Sequence, residues 1–312
     1  MTKVTEVAAA VFQRPDGRFL LAQRPEGKPY PGYWEFPGGK LEAGESAFDC
    51  LRRELKEELD VEVLAADPWI TRVHAYTHAT VRLHFFRVTG WRGEFRGLEN
   101  QAHSWQRIDA LDVGPMLPAN TPVFRALSLP VEYAVSDAED RGIPAFLSAL
   151  DATLARGVRL VQLREKSFDA AHFAMLASEV VARAHAAGAR VLLNADPSVA
   201  RQCGADGVQV PAAALLRLEA RPDVALAGAS CHTREEIARA GELGFDFAVA
   251  GAVRNTPSHP GHAPLGWDAF RALVRDAPLP VFAIGGLERG DLAQAQACGA
   301  HGVALRRGAW RA

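Results

Sequence analysis

The chain is short of most features that would specialise it. Its 312 residues include four cysteines and three methionines, and aromatics make up 8%. Cys50, Cys203, Cys231 and Cys298 stand far apart with no CxxC spacing, which argues against both a disulfide framework and a zinc site. No charge of one sign dominates, since 35 basic and 37 acidic residues leave a formal charge of -2. That balance creates no broad basic field, so a nucleic acid polymer is not an expected partner. A small anion is still admissible where a metal neutralises it locally. Long apolar runs are missing near the N-terminus, where the stretch Val7 to Phe12 has only strand length. No signal segment and no membrane span are therefore expected, and the setting is expected to be cytoplasmic.

What remains is ordinary globular material, 48% apolar and 23% charged, in a length that suits two domains. The first part reads as mixed α+β. "VAAAVF" and "RFLLAQR" flank the turn signal Pro15-Asp16-Gly17, and "ATVRLHFFRVTGW" has the β-branched and aromatic content of a half-buried strand. One long helical pattern carries Leu51, Leu55 and Leu59, and a second helix is expected after "LPANTPVFRAL". Past "LSLPVEYAVSD" the rhythm changes to eight short apolar strands alternating with Ala-rich helices. That alternation predicts a (β/α)8 barrel with a truncated last helix, a doubly wound open sheet being the rival. Domains are expected over residues 1–128 and 131–312, with the seam at Pro130.

"GGKLEAGESAFDCLRRELKEELDV", Gly38 to Val61, holds the densest chemistry. Taken alone, "LRRELKEEL" is an amphipathic helix with a leucine stripe and a salt-bridged outer face. Yet Glu54, Glu57 and Glu58 at i, i+3 and i+4 project from one face, where clustered carboxylates favour a hard divalent cation. Ser46 is placed to cap the helix and Asp49 to complete a start resembling a capping box. Gly38-Gly39 permits a tight backbone turn that brings a carbonyl towards the same cation.

Gly39, five residues, Glu45, seven residues and then Arg53-Glu54 with Glu57-Glu58 is the Nudix box. One departure stands out: the box's late glycine is here Asp60, a residue that tolerates the left-handed region. The first half as a whole resembles MutT-type 8-oxo-dGTP diphosphatases through "LLAQRPEG", "WEFPGGKLEAGE", "LHFFRVTGWRGEFRGLENQ" and "LPANTPV". The resemblance implies a helix–sheet–helix (αβα) sandwich and a nucleoside triphosphate substrate. It also implies Mg2+, or Mn2+ in its place, held by the Gly38 carbonyl with Glu54, Glu57, Glu58 and Glu99. Glu54 or Glu99 would be the base that activates water for attack on the β-phosphorus. Arg53 would hold a box glutamate, Lys40 would reach a phosphate, and Glu45 would orient other groups. Arg24 would contact base or phosphate. Asn120 would read the oxidised base, its amide oxygen accepting from N7–H while its NH2 donates to O6. Read without the resemblance, Asn120 is a helix cap and Glu99 a loop acid.

Residues 131–312 resemble thiamine-phosphate synthases and the related thiazole tautomerases through "VQLREK", "LLNAD", "GASCHT", "NTPSHPG" and "FAIGG". Arg164 and Lys166 at a strand end suit a pyrophosphate, Gly285 and Gly286 offer backbone N–H groups to a phosphate, and Ser230 and Thr256 match further phosphate-side positions. A thiamine-related phosphate is therefore the expected ligand of this half. The synthase pattern is incomplete, however. Pro211-Ala212-Ala213-Ala214 stands where synthases carry a metal-binding aspartate, Ala195 replaces one acid beside Asp196, and His259 replaces a lysine. Alanines cannot hold a hard cation. A degenerate, ligand-binding barrel beside a hydrolase is the first expectation, and His232 and His259 leave a metal-free proton transfer open. The alternative is a thiamine-pathway enzyme whose first half is accessory. The residues point to no particular oligomeric state.

Overall fold

Alternation along one strand organises the first half of the molecule. β1 (Val4–Phe12) sends Ala9 and Val11 into one apolar layer and Ala8, Ala10 and Phe12 into another, as the two-residue period of a strand requires. The structure is a computed structural model that describes residues 4–77, 79–98, 101–256 and 263–311. Its chain forms two units, Met1–Ser128 and Leu129–Ala312.

In the first unit β1 lies between β4 (Gly38–Lys40), antiparallel to it, and β6 (Thr80–Arg92), parallel to it, with β5 (Glu62–Ala75) at the edge. A second sheet orders β3 (Trp34–Glu35), β2 (Phe19–Gln23) and β7 (His103–Gln106). Helix α1 (Ala47–Leu59) packs Leu51, Leu55 and Leu59 onto Ala8, Ala10 and Phe12. Helix α2 (Thr121–Leu127) packs Val123 and Ala126 into the layer of Ala9 and Val11. Helix, sheet and helix thus form the expected sandwich. β5 escapes the sequence reading because Pro68 and three register shifts break its alternation, irregularities an edge strand tolerates.

The α1 termini follow local chemistry. The Ser46 hydroxyl accepts from the Asp49 N–H at 3.1 Å. The Asp49 carboxylate then turns to that hydroxyl at 2.6 Å, so the reciprocal half of a capping box is not made. At the other end Asp60 adopts φ 56 and ψ 29, and its N–H returns to the Leu55 carbonyl. The left-handed C-terminal position is therefore filled by Asp, as its replacement of the box glycine implied.

The second unit is a closed barrel of eight parallel strands, which excludes the open-sheet rival. In chain order they are β8 (Glu132–Val135), β9 (Leu160–Leu163), β10 (Arg190–Leu193), β11 (Gly207–Val210), β12 (Leu226–Cys231), β13 (Phe247–Gly251), β14 (Val281–Ile284) and β15 (Gly302–Leu305). Tyr133, Phe247 and Phe282 meet in the barrel interior with ring centroids 5.2, 5.3 and 5.6 Å apart, so the interior is a packed core rather than a pore. Outside lie α3 (Ala138–Arg141), α4 (Ile143–Ala155), α5 (Ala170–Ala186), α6 (Pro197–Gln202), α7 (Ala212–Leu215), α8 (Arg234–Glu242), α9 (Gly266–Val274) and α10 (Leu292–Ala297). The connection after β10 is compressed into the six-residue α6. After β15 a single 3-10 turn, Gly308–Trp310, stands in for a helix. Its Trp310 ring packs edge-on to Phe146 at 5.1 Å, and the indole N–H donates to the Val135 carbonyl at 2.9 Å.

Candidate active site

Two adjacent glycines meet two different spatial demands at the start of the acidic motif. A Cβ on Gly38, whose φ is +148°, would sit 2.0 Å from the Ala8 carbonyl oxygen of the neighbouring strand. A Cβ on Gly39 would sit 2.0 Å from the Glu54 carboxyl carbon. The first glycine lets β4 lie against β1, and the second leaves room for the Glu54 carboxylate over the backbone.

Arg53 ties the acids together. Its guanidinium donates to both oxygens of Glu45 at 2.9 Å, to Glu54 at 2.9 Å, to Glu57 at 3.3 Å and to the Lys40 carbonyl at 3.1 Å. Those charge-assisted bonds, together with the Glu42 N–H at 2.9 Å, hold the Glu45 carboxyl down to about 2. Glu45 thus faces Arg53 and orients it, while Lys40 is exposed. Glu57 is open, with 60% of its side chain exposed, whereas Glu58 is buried at 8%. That burial separates the motif from a merely solvated helix face. One Glu58 oxygen accepts from Lys28 Nζ at 3.0 Å and the other from Gln101 Nε2 at 3.5 Å.

The acids of α1 are therefore held by Arg53 and Lys28. Among the described residues no three His, Cys, Asp or Glu side chains converge on one cation position. The chemistry of the donor set fits a hard divalent ion all the same, since α1 offers carboxylates at Glu54, Glu57 and Glu58 and Gly39 packs against the Glu54 carboxylate. Gln101 Oε1 is also buried with no hydrogen-bond partner among the described residues, an acceptor that such a site leaves for a donor from outside the chain. Glu99 lies outside the described residues. On either side of it, the Leu98 N–H donates to the Glu58 carbonyl at 2.9 Å and Gln101 meets the Glu58 carboxylate.

A second cluster carries Arg24, whose guanidinium donates to both Glu35 oxygens at 2.6 and 2.7 Å and to the Pro29 carbonyl at 2.7 Å. Burial pushes the Glu35 carboxyl up to about 7, against the pull of Arg24, and the charge of Glu58 adds to the rise. Around it stand Tyr30 and Tyr33 with centroids 5.3 Å apart, Tyr30 and Tyr76 at 5.4 Å, and His74 and Tyr76 at 4.3 Å. Burial first and the Glu35 charge next push the Tyr76 hydroxyl up to about 12, so it stays protonated. Asn120 is 2% exposed and precedes α2 without a side-chain cap bond, which removes the capping reading. Its Nδ2 donates to the Trp34 carbonyl at 3.4 Å.

In the barrel, Arg164, Ser230 and Gly285 are half-buried at strand ends, while Lys166 and Gly286 are exposed. Burial lowers the Arg164 guanidinium and nearby Arg306 lowers it further. Gln209 Nε2 donates to Ser230 Oγ at 3.2 Å. Gly285 and Gly286 adopt φ of 105 and 64°, and a Cβ on Gly286 would sit 2.5 Å from the Asn255 carbonyl oxygen. Thr256 is half-buried in that connection, and His259 lies outside the described residues. His232 is exposed, its Nδ1 3.4 Å from the Gly251 carbonyl. Asp196 caps α6, accepting from the Ser198 N–H at 2.8 Å and its hydroxyl at 2.7 Å, and Ala212–Leu215 make the short helix α7 with no oxygen ligand.

Sequence reasoning missed Lys28, Glu35, Gln101 and the tyrosine wall. A lone acid between Trp34 and Phe36 was a signal, since both neighbours are core-forming. Three of the four tyrosines also fall in the first half. Lys28 and Gln101 gave none.

Residues 3–127 match the family described as NUDIX domain, and residues 132–309 that described as thiamine monophosphate synthase. The 8-oxo-dGTP diphosphatase of Haemophilus influenzae is 36% identical over 125 residues, covering 40% of this chain and 92% of that protein. The CTP pyrophosphohydrolase of Escherichia coli is 36% identical over 124 residues, 40% of this chain and 91% of that protein. The putative thiamine-phosphate synthase of Geobacter sulfurreducens is 37% identical over 177 residues, 55% of this chain and 83% of that protein.

Proposed function

The chain belongs to the Nudix family through residues 3–127 and to the thiamine monophosphate synthase family through residues 132–309, and from that premise we propose that its first half hydrolyses 8-oxo-dGTP, with Mg2+, to 8-oxo-dGMP and pyrophosphate. The observation that carries the base preference is Asn120. Its amide is buried, takes no part in capping, and spends one N–H on the Trp34 carbonyl. The other N–H is left for O6 and the oxygen for N7–H of the oxidised base. The adjoining Tyr30, Tyr33 and Tyr76 rings suit a planar base between them, and Arg24, fixed by Glu35, presents a positioned cation at the same place.

Glu54, Glu57 and Glu58 with the Gly38 carbonyl and Glu99 would hold Mg2+. Bound there, the ion supplies charge neutralisation for the triphosphate and polarises the phosphoryl group. The chain's own part is positional. Arg53 holds Glu45, Glu54 and Glu57 in register, and the glycine pair seats Glu54 over β4. Glu54 or Glu99 takes the proton from the attacking water, the water oxygen joins the β-phosphorus, and the nucleoside monophosphate leaves.

The test is pyrophosphate release by the full chain with Mg2+, using 8-oxo-dGTP, dGTP and CTP at concentrations below KM. The reading expects the oxidised nucleotide to be preferred and Asn120→Ala to reduce that preference by about tenfold to hundredfold, the loss of one buried amide contact. Faster turnover of CTP or dGTP would refute the base assignment, and full activity in Glu58→Gln would refute the metal assignment.

For the second half we propose binding of a thiamine-related phosphate at Arg164, Lys166, Ser230, Thr256, Gly285 and Gly286. Asp196 is spent on a helix cap and α7 offers only apolar side chains, so the residues present do not fit a synthase's Mg2+ site. Formation of thiamine phosphate from pyrimidine pyrophosphate and thiazole phosphate would overturn this in favour of a biosynthetic barrel with an accessory first half.

A further inference from the structure

The Lys28–Glu58 ion pair places a protein cation on an acid that the proposed reaction needs for metal. We propose that Lys28 is a stand-in cation: it holds the buried Glu58 carboxylate in the free protein, yields it to the entering metal, and then turns to the phosphates of the substrate. This rests on the hydrolase reading above and adds a residue to it.

Glu58 is the most enclosed acid of α1, and a buried carboxylate without a counter-charge is costly. Both of its oxygens have donors, and Lys28 and Gln101 differ as donors. Gln101 is itself buried, and its bond is long at 3.5 Å; Lys28 makes the shorter bond at 3.0 Å. The Lys28 side chain is 42% exposed and sits in the segment joining β2 to β3, where Gly27, Tyr30 and Gly32 all take positive φ. A divalent ion on Glu58 repels an ammonium at hydrogen-bond distance, and Lys28 is much more exposed than Gln101. Its flexible four-carbon stem keeps the released charge near Glu58, on the same segment as Arg24 and Tyr30. A triphosphate brought in with the metal is the strongest anion that charge can meet there.

The experiment titrates the full chain with Mn2+, read by the electron paramagnetic resonance of the free ion, in wild type, Lys28→Met and Lys28→Arg, without nucleotide. Steady-state KM and kcat for 8-oxo-dGTP follow on the same proteins, with thermal melting as a check of the fold. Removing the competing ammonium should tighten Mn2+ binding about twofold to fivefold in Lys28→Met, the range of a partly exposed ion pair. KM should rise several-fold with kcat within about twofold, since the lost contact binds substrate and transition state alike. Lys28→Arg should restore both values to within about twofold. Unchanged or weaker Mn2+ binding in Lys28→Met overturns the stand-in role, and an unchanged KM overturns the turn to phosphate. Both outcomes leave the hydrolase reading standing. Absence of Mn2+ binding in wild type would instead sink the metal reading, and this proposal with it.

Discussion

Glu35 gives the clearest titration signal in the hydrolase unit. In an unfolded chain it titrates near 4.5, and in the folded protein burial raises it to about 7. Between those values the folded protein keeps a proton that the unfolded chain has lost, so stability falls as pH rises from 4.5 to 7. Above the folded value the loss is complete, and below 4.5 both states are protonated and the effect vanishes. The shift alone corresponds to ~3 kcal/mol, and since 24% of the side chain is exposed, roughly 1–2 kcal/mol is expected after solvent screening. Urea unfolding of wild type and Glu35→Gln at pH 5 and pH 8 checks it. The wild type should lose more stability between the two than the variant, and equal losses would place Glu35 outside this role. Residue chemistry was the most legible where a fixed spacing reports it, as with Gly39, Glu45 and Arg53. Glu35 and Lys28 act through partners 11 and 30 positions away, and no local pattern records a pairing of that kind.

Elements were legible in proportion to their regularity. The eight barrel strands are short and apolar, and each was visible; β5 was not, because bulges and Pro68 interrupt its period. Helix α1 was visible twice, by its leucine stripe and by its ends. At its C-terminus Asp60 stands at φ 56 and pairs with Lys56. Asp60→Gly should remove a left-handed strain of about 0.5–1 kcal/mol and forfeit a few tenths from the exposed i,i+4 pair. The expected net gain, about 0.5 kcal/mol, is readable as a higher urea midpoint with unchanged slope. At the other end of the motif Gly39→Ala forces a Cβ to 2.0 Å from the Glu54 carboxyl carbon. Pyrophosphate release should then fall at least about a hundredfold, because displacement of a positioned group by ~1 Å costs that much, while far-ultraviolet circular dichroism is retained. Wild-type turnover in Gly39→Ala would show that Glu54 needs no fixed seat.

Each unit of the whole molecule has its own cores, the two layers around β1 in one and the barrel interior and its outer shell in the other. Two cores of this kind are expected to unfold as two calorimetric transitions. Ligands then become labels for the units. On the proposed hydrolase reading, Mg2+ with 8-oxo-dGMP at about a hundredfold over Kd should stabilise its unit by ~2.7 kcal/mol and raise one transition by roughly 8–14 °C. Thiamine phosphate should raise the other. Asn120→Ala should cancel the first shift and leave the second, and Arg164→Ala should do the reverse. If either ligand moved both transitions, the two sites would share a free energy of coupling and the barrel would act as a sensor for the hydrolase. If thiamine phosphate moved neither, the barrel would take a different ligand, and its arginines would have to be explained by another anion.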